Sequence, residues 1–277
     1  MLDSILMDTP AMPSTPHTAV RHWHIGMLGL AVLLISCLTS MVAHAGEQDV
    51  PSARLAVASN FGTLAQELAR RYANTHGHRI EISTASTGKL YAQIQHGAPF
   101  DALLSADRAT PQRLLDEGLA VAGSLHDYAT GRLVLLTDRK RTGVADEALL
   151  RTRAFRHFAL ANPKLAPYGE AAREVLVHVG RWEPLEAARV LGENVAQAIQ
   201  YVTSGNAEAG LVPWSLALQL PADGGYSFWP VPAAWHTPIV QSAVLLKHGE
   251  HNAAAMGFIA YLRGDEARRF IAAHGYD

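Results

Sequence analysis

The sequence predicts an α/β protein whose sheets are mainly parallel. Short apolar runs recur along the chain, and each is followed by a turn of small polar residues or proline. Segments with apolar residues three or four positions apart, the spacing of an amphipathic helix, follow most of these turns. Such regular alternation of strand and helix favours parallel strands joined by helical crossovers. These residues leave open whether one sheet or two lobes result.

The strands are predicted from apolar runs and from alternation. The run 100–106 is apolar enough for a strand that is buried on both faces, whereas 79–84 alternates apolar and polar residues. In chain order, strands are expected at 55–58, 79–84, 100–106, 131–137, 158–161, 210–212, 227–231 and 239–246.

The helices are predicted from periodicity and from their end signals. Leu64, Leu68 and Tyr72 lie on one helical face, and Thr110-Pro111 is typical of an N-cap followed by a first-turn proline. In chain order, helices are expected at 62–72, 89–96, 112–117, 168–179, 195–203, 253–262 and 265–274.

Residues 1–45 are typical of an export signal with an N-terminal extension. A weakly basic stretch begins at Arg21, and the apolar run 27–35 is shorter than a membrane span. Ala43-His44-Ala45 then offers a cleavage site, so a periplasmic protein beginning at Gly46 is expected. A short membrane anchor is the alternative.

The single cysteine, Cys37, lies within this segment. Leu34-Ile35-Ser36-Cys37 resembles a lipoprotein cleavage box, which makes lipid anchoring at Cys37 a second alternative. Cleavage after Ala45 is favoured because the apolar residues continue past Cys37. Removal of 1–45 leaves no thiol for catalysis, a disulfide or a metal site.

Composition argues against a nucleic-acid partner. The chain of 277 residues has a formal charge of −2 and only 17% charged residues. Its short basic pairs, Arg70-Arg71 and Lys140-Arg141, have no aromatic residues between them. We therefore expect a globular protein without a polyanion-binding surface.

Four predicted helices begin at turns that carry neutral hydrogen-bond donors. A helix start presents free N–H groups and a positive dipole end, which together suit an anion. Each turn alone is explained equally well by capping. Lys89 is the only cation nearby. The turns are Ser59-Asn60, Ser86-Thr87-Gly88, Pro167-Tyr168-Gly169 and Asn194-Val195.

Other chemistries fit the sequence poorly. A phosphate-binding P-loop would require glycine at Ser83 and a hydroxyl residue at Leu90. The sequence contains neither a G-x-S-x-G elbow nor an H-E-x-x-H motif. Asp101 and Asp107 flank a predicted strand, and a secreted hydrolase that uses either of them is a distant alternative.

Five segments together resemble the molybdate-binding proteins of ABC importers, a branch of the type II periplasmic binding proteins. The resemblance extends over about residues 53–277. It rests on AVASNF (56–61), ASTGKLYAQIQHGAPFDALLSAD (85–107), ANPKLAPYGEAA (161–172), GENVAQAI (192–199) and SGNAEAGLV (204–212).

The resemblance implies a two-lobed periplasmic binding protein fold. Each lobe would hold a mainly parallel sheet flanked by helices, with the ligand in the cleft between the lobes. The first lobe would comprise 52–128 plus 238–277, and the second 129–237. Two crossing strands would join them.

The resemblance also implies the binding residues. Asn60 and Thr87 would donate to the oxyanion through backbone and side chain from the first lobe, with Ser59 a weaker candidate. Tyr168 from its turn and the Val195 N–H would donate from the second lobe. Some relatives place a tyrosine hydroxyl just after 210–212, but this chain has Pro213-Trp214 there.

The function implied is capture of molybdate, and also tungstate, for a membrane permease. The metal would be bound as its oxyanion, without direct protein ligands, cofactor or catalysed reaction, by a monomer. The same fold binding sulfate, phosphate or an organic anion is the alternative.

Overall fold

Two five-stranded sheets, each with helices on both faces, form the part of the chain that the structure describes. The computed structural model describes residues 51–277; the predicted export signal, with Cys37 and the cleavage site after Ala45, lies outside the described residues. Within 51–277, no helix combines the length and the apolar character that crossing a membrane requires.

The strands are numbered in chain order. They are β1 (Ser52–Ala58), β2 (Arg79–Ala85), β3 (Ala102–Ser105), β4 (His126–Gly131), β5 (Leu133–Asp138), β6 (Phe158–Ala161), β7 (Arg189–Gly192), β8 (Ala209–Pro213), β9 (Tyr226–Pro230) and β10 (Ile239–Leu245).

The α-helices are numbered in the same way. They are α1 (Gly62–His76), α2 (Thr87–Gln95), α3 (Ala109–Asp116), α4 (Arg139–Thr142), α5 (Glu147–Thr152), α6 (Pro167–His178), α7 (Val195–Thr203), α8 (Trp214–Ala217), α9 (Ala253–Leu262) and α10 (Asp265–Ala272). Short 3₁₀ turns occupy Glu186–Ala188, Ala233–Trp235 and Lys247–Gly249.

The two sheets have the same plan. The first has the order β2-β1-β3-β10-β4, and the second β7-β6-β8-β5-β9. In each sheet three neighbouring strands pair in parallel, and the fourth runs against both of its neighbours. Four of the five described strands in each sheet therefore point the same way, which confirms the predicted α/β class and its mainly parallel sheets.

Between residues 51 and 277, the chain crosses between the sheets twice. One crossing is at Arg132, between β4 and β5, and the other lies between β9 and β10. A single strand was predicted over 131–137. Strand β5 confirms this prediction from Leu133 onward, whereas Gly131 belongs to β4, a strand of the first sheet that was not predicted. The lobe boundaries given above stay a prediction.

Alternate residues of each strand pack into separate cores on the two faces of the sheet. In the first lobe, Leu55 and Val57 face α1, α9 and α10, whereas Ala56 faces α2 and α3. In the second lobe, Leu133 and Leu135 face α5 and α6 on one side of the sheet. Each fully buried leucine stabilises the fold by roughly 1.5–3 kcal/mol.

One capping prediction is wrong. Helix α3 begins at Ala109 rather than after Thr110. The cap is supplied by Asp107, whose carboxylate accepts the Thr110 N–H at 2.7 Å and the Thr110 hydroxyl at 3.1 Å. Asp107 lies two residues after the end of β3, and its carboxylate satisfies the first turn of α3.

Candidate anion-binding site

The four predicted site residues follow the carboxyl ends of parallel strands. Asn60 follows β1 and Thr87 follows β2 in the first sheet. Tyr168 lies in the first turn of α6, after β6, and Val195 begins α7 after β7. Because parallel strands end at a common edge, each sheet brings its two residues to one edge, where α/β proteins bind ligands.

These two edges contact each other. The Gly88 N–H donates to the Leu165 carbonyl at 2.9 Å. A side chain at position 88 would crowd that carbonyl, since a Cβ there would lie 3.1 Å from its oxygen. Beside this contact, Lys89 Nζ pairs with Glu193 Oε2 at 2.7 Å. The cleft between the lobes is therefore closed.

Asn60 is buried, and its side-chain nitrogen is fully engaged within the protein. Its Nδ2 donates to Gln241 Oε1 at 2.7 Å and to the Tyr276 hydroxyl at 3.0 Å. An amide nitrogen has only two hydrogens, so none remains for a ligand. The backbone N–H, which meets no acceptor among the described residues, is the donor that Asn60 can offer. In this arrangement the Asn60 side chain cannot make the expected donation to the oxyanion.

Thr87 is buried at the start of α2, and its hydroxyl retains a hydrogen. Its Oγ1 accepts the Ala106 N–H at 3.2 Å, at the end of β3. The Ala106 carbonyl in turn accepts from Gln241 Nε2 at 3.4 Å. Gln241 therefore connects the loop of Thr87 and Ala106 to Asn60. Because the Thr87 hydroxyl only accepts a hydrogen bond among the described residues, its own hydrogen is free to donate.

The Tyr168 hydroxyl reaches across to the first sheet, at the end of β4. It is buried without a hydrogen-bond partner among the described residues. Gly131 makes room for it, because a Cβ on Gly131 would overlap this hydroxyl. Burial, and then the nearby Tyr276, hold the pKa of Tyr168 well above its ordinary value, although the two hydroxyls do not form a well-aligned bond. Tyr168 is thus a neutral donor.

Val195 presents backbone N–H groups at the start of α7. Asn194 caps this helix by accepting the Gln197 N–H at 3.0 Å, and no acidic residue occupies the first turn. The first N–H groups of a helix have no intrahelical acceptor, so those of Val195 and Ala196 remain available. Val195 belongs to the same buried cluster as Tyr168.

Ser86 was not among the predicted binding residues. It occupies the N-cap position of α2, yet its side chain caps nothing. Its hydroxyl is buried and has no partner among residues 51–277. The sequence signal was present in the turn Ser86-Thr87-Gly88, but a serine at an N-cap normally satisfies the helix. Only the geometry shows that this one does not.

A cavity of about 330 Å³ remains between the two edges. Its first-lobe wall includes Thr87, Gly88 and Asp107, and its second-lobe wall includes Leu165 and Glu170. Of the four predicted site residues, only Thr87 lines it. Hydrogen bonds through Gln241 connect Asn60 with the loop of Thr87. The Tyr168 hydroxyl packs against Gly131, near Tyr276. Val195 is linked to Tyr168 by packing in the same buried cluster.

The two aspartates of the hydrolase alternative do not form a pair. Asp101 precedes β3 and Asp107 follows it, which separates them by about 20 Å at roughly 3.3 Å per residue. Asp101 instead accepts the Arg54 N–H at 2.7 Å and contacts His248 at 2.9 Å. In the part of the chain described, no three His, Cys, Asp or Glu residues are grouped to hold a metal ion.

Comparison with known proteins gives one consistent family. The family described as bacterial extracellular solute-binding protein matches residues 53–277. The molybdate-binding protein ModA of Azotobacter vinelandii is 42% identical over 252 residues, which is 89% of this chain and 96% of that protein. ModA of Rhodobacter capsulatus is 40% identical over 222 residues, 80% and 86% of the two chains.

The fold agrees with this relationship. The solved periplasmic molybdate-binding protein of Azotobacter vinelandii superposes with a TM-score of 0.75 at 36% identity, over 81% of this chain and 98% of that one. The five segments that carry the resemblance supply both edges of the cleft described above. The chain therefore belongs to the bacterial extracellular solute-binding proteins, in their molybdate-binding branch.

Proposed function

We propose that this protein binds molybdate in the cleft between its two lobes and delivers it to the membrane permease of an ABC importer. We propose further that it binds tungstate and works in the periplasm as a monomer. It is a binding protein, so the proposal includes no catalysed reaction and no resident cofactor. The metal is held as its oxyanion, through hydrogen bonds to the oxygen atoms.

One observation carries this proposal: of the buried hydroxyls that have no partner among residues 51–277, two lie at the edges that face each other. They are Ser86 Oγ from the first lobe and Tyr168 Oη from the second. Burying an unpaired hydroxyl is unfavourable, so such groups in a native cleft indicate a ligand that accepts hydrogen bonds. A tetrahedral oxyanion offers acceptors in several directions at once.

The charge of the site suits a small dianion. Neutral hydroxyls, N–H groups and the starts of α2 and α7 can disperse two negative charges without a buried cation. Lys89, beside Thr87 at the start of α2, is half-exposed and already paired with Glu193. We assign ligand contacts to the Asn60 N–H, the Thr87 and Tyr168 hydroxyls and the Val195 N–H, and add the Ser86 hydroxyl.

Selectivity over sulfate and phosphate is proposed to follow from the size of the closed site. Molybdate, tungstate and sulfate are all tetrahedral dianions, so neutral donors cannot separate them by charge. A closed cleft has fixed distances between its two edges, and an ion of the wrong radius loses hydrogen bonds at one of them.

An anion panel tests the proposal. Urea unfolding and calorimetric titration would be measured with molybdate, tungstate, sulfate and phosphate at equal ionic strength. A ligand at ~1,000 times its dissociation constant should add about 4 kcal/mol to the free energy of unfolding. No stabilisation by molybdate or tungstate would contradict the proposal. Equal stabilisation by sulfate would still support an oxyanion-binding protein, but it would contradict the proposed selectivity.

A further inference from the structure

Tyr276, the residue before the last, lies buried at the point where the two lobes meet. Its backbone forms a bridge with Gly131 at the end of β4. The adjacent Asp277 exchanges two hydrogen bonds with Thr130, at 2.7 and 2.9 Å. The ring of Tyr276 packs edge-on against Phe61, with 5.6 Å between ring centroids. Backbone hydrogen bonds and ring packing therefore hold residues 276 and 277 against the first crossing.

The Tyr276 hydroxyl makes three hydrogen bonds that involve both lobes. It donates to the Asn60 carbonyl at 3.0 Å and accepts from Asn60 Nδ2 at 3.0 Å. It also accepts from Ser215 Oγ, which follows β8 in the second lobe, at 3.1 Å. Tyr276 thus holds Asn60 at both its backbone and its side chain, and ties it to the opposite lobe.

These hydrogen bonds determine which donor Asn60 can present to an anion. With Nδ2 shared between Gln241 and Tyr276, and the carbonyl held by Tyr276, the peptide groups on either side of Asn60 have a fixed orientation. The free Asn60 N–H is therefore held in one direction. Donors that are oriented before binding give higher affinity, because no ordering has to occur when the ligand arrives.

We infer that Tyr276 is a positioning residue of the anion site, which acts through Asn60 and couples it to Ser215. The inference rests on the proposed anion binding, since it names a residue that serves the same cleft. Tyr276 itself is not assigned a contact with the ligand.

Tyr128 provides a matched control. Its ring packs against the same Phe61, with 4.9 Å between centroids, and it is buried like Tyr276. Its hydroxyl has no hydrogen-bond partner among the described residues. Tyr128→Phe and Tyr276→Phe therefore each remove one buried hydroxyl beside Phe61, and only the second removes contacts with Asn60.

The experiment compares molybdate affinity by calorimetry for the wild type, Tyr276→Phe and Tyr128→Phe, at a temperature where thermal melts show all of them folded. Tyr276→Phe should weaken binding by about tenfold or more, whereas Tyr128→Phe should stay within about twofold. Ser215→Ala, a smaller change to the same network, should weaken binding to a lesser extent.

A double-mutant cycle distinguishes positioning from direct contact. If Tyr276 acts through Asn60, the losses caused by Tyr276→Phe and Asn60→Ala should sum to more than the loss in the double variant. Strictly additive losses, or unchanged affinity in both Tyr276→Phe and Ser215→Ala, would overturn the inference alone. A wild type that binds none of the four anions would overturn the proposed function and this inference with it.

Discussion

At the scale of single residues, the site depends on which polar atoms the protein leaves without partners. Asn60 and Thr87 have buried side chains that are already bonded within the protein. Ser86 and Tyr168 have buried hydroxyls that bond no other residue of the described chain. An unpaired buried hydroxyl lowers the stability of the empty protein and raises its affinity for an acceptor, so stability and binding should respond in opposite directions to its removal.

Tyr168→Phe and Ser86→Ala test this opposition. Each substitution removes an unpaired hydroxyl, so the empty protein should be as stable as the wild type or slightly more stable. Molybdate affinity should fall by roughly 1–3 kcal/mol, since the anion loses a hydrogen bond in a buried site. Urea unfolding and calorimetry give the two quantities. Reduced stability together with unchanged affinity would show that these hydroxyls have a structural role only.

At the scale of elements, β4 and α6 come close together at the first crossing. Gly131 ends β4, and the absence of a side chain there leaves the space that the Tyr168 hydroxyl occupies. The same glycine pairs with the C-terminal segment at Tyr276. Gly131 therefore allows α6 and the C-terminal segment to pack closely against the end of β4.

Gly131→Ala should displace the Tyr168 ring, because its added methyl group would overlap the Tyr168 hydroxyl. We expect molybdate affinity to fall at least as far as in Tyr168→Phe, with a loss of stability of roughly 1–3 kcal/mol from overpacking. In the double variant with Tyr168→Phe, which removes the overlapping oxygen, part of the stability should return. Failure of this rescue would show that the methyl group is accommodated elsewhere.

At the scale of the whole molecule, three buried tyrosines near the meeting point of the lobes make its stability sensitive to alkali. Burial raises the pKa of Tyr276 to about 12, partly offset by hydrogen bonds from Ser215 and Asn60. Burial holds the pKa of Tyr168 and of Tyr128 well above 10 as well. The folded state therefore binds these protons more tightly than the unfolded chain does.

The sign of the pH dependence follows from linkage. The contribution of Tyr276 to the free energy of unfolding should be fully present below pH 10 and lost as the pH rises from about 10 to about 12. Urea unfolding at pH 8, 10 and 11 measures it, and Tyr276→Phe should lose less stability over that range. Because the tyrosines stay protonated, molybdate affinity should be constant from about pH 6 to about pH 9. A steep change there would contradict the assignment of neutral donors.

Export of the whole chain gives a further prediction. Cleavage after Ala45 should give a secreted protein that begins at Gly46 and contains no cysteine. Intact mass measured on secreted material checks this, and Cys37→Ser should leave the mass unchanged. A product that begins at a lipid-modified Cys37 would instead establish the lipoprotein alternative.

Local patterns predicted most of the elements that position the site. Three elements were predicted with their bounds correct to the residue: Phe158–Ala161, Val195–Thr203 and Ala253–Leu262. Their apolar residues recur at regular spacing, and glycine or proline residues lie close to their ends. Strand β7 was missed because its four residues, Arg189–Gly192, lack an apolar run. The strand predicted over 131–137 began two residues before β5, and β4 was missed, because no local signal marks the passage from one sheet to the other at Arg132.

The sequence by itself determined the α/β class, the neutral helix starts and, through five segments, the family. These are properties of neighbouring residues. Only the tertiary structure decided which donors remain free: residues as far apart as Asn60, Gln241 and Tyr276 bond one another, while Ser86 and Tyr168 bond nothing in the described chain. Hydrogen bonds between distant residues depend on how the strands and their connections bring them together, and no local pattern carries that information.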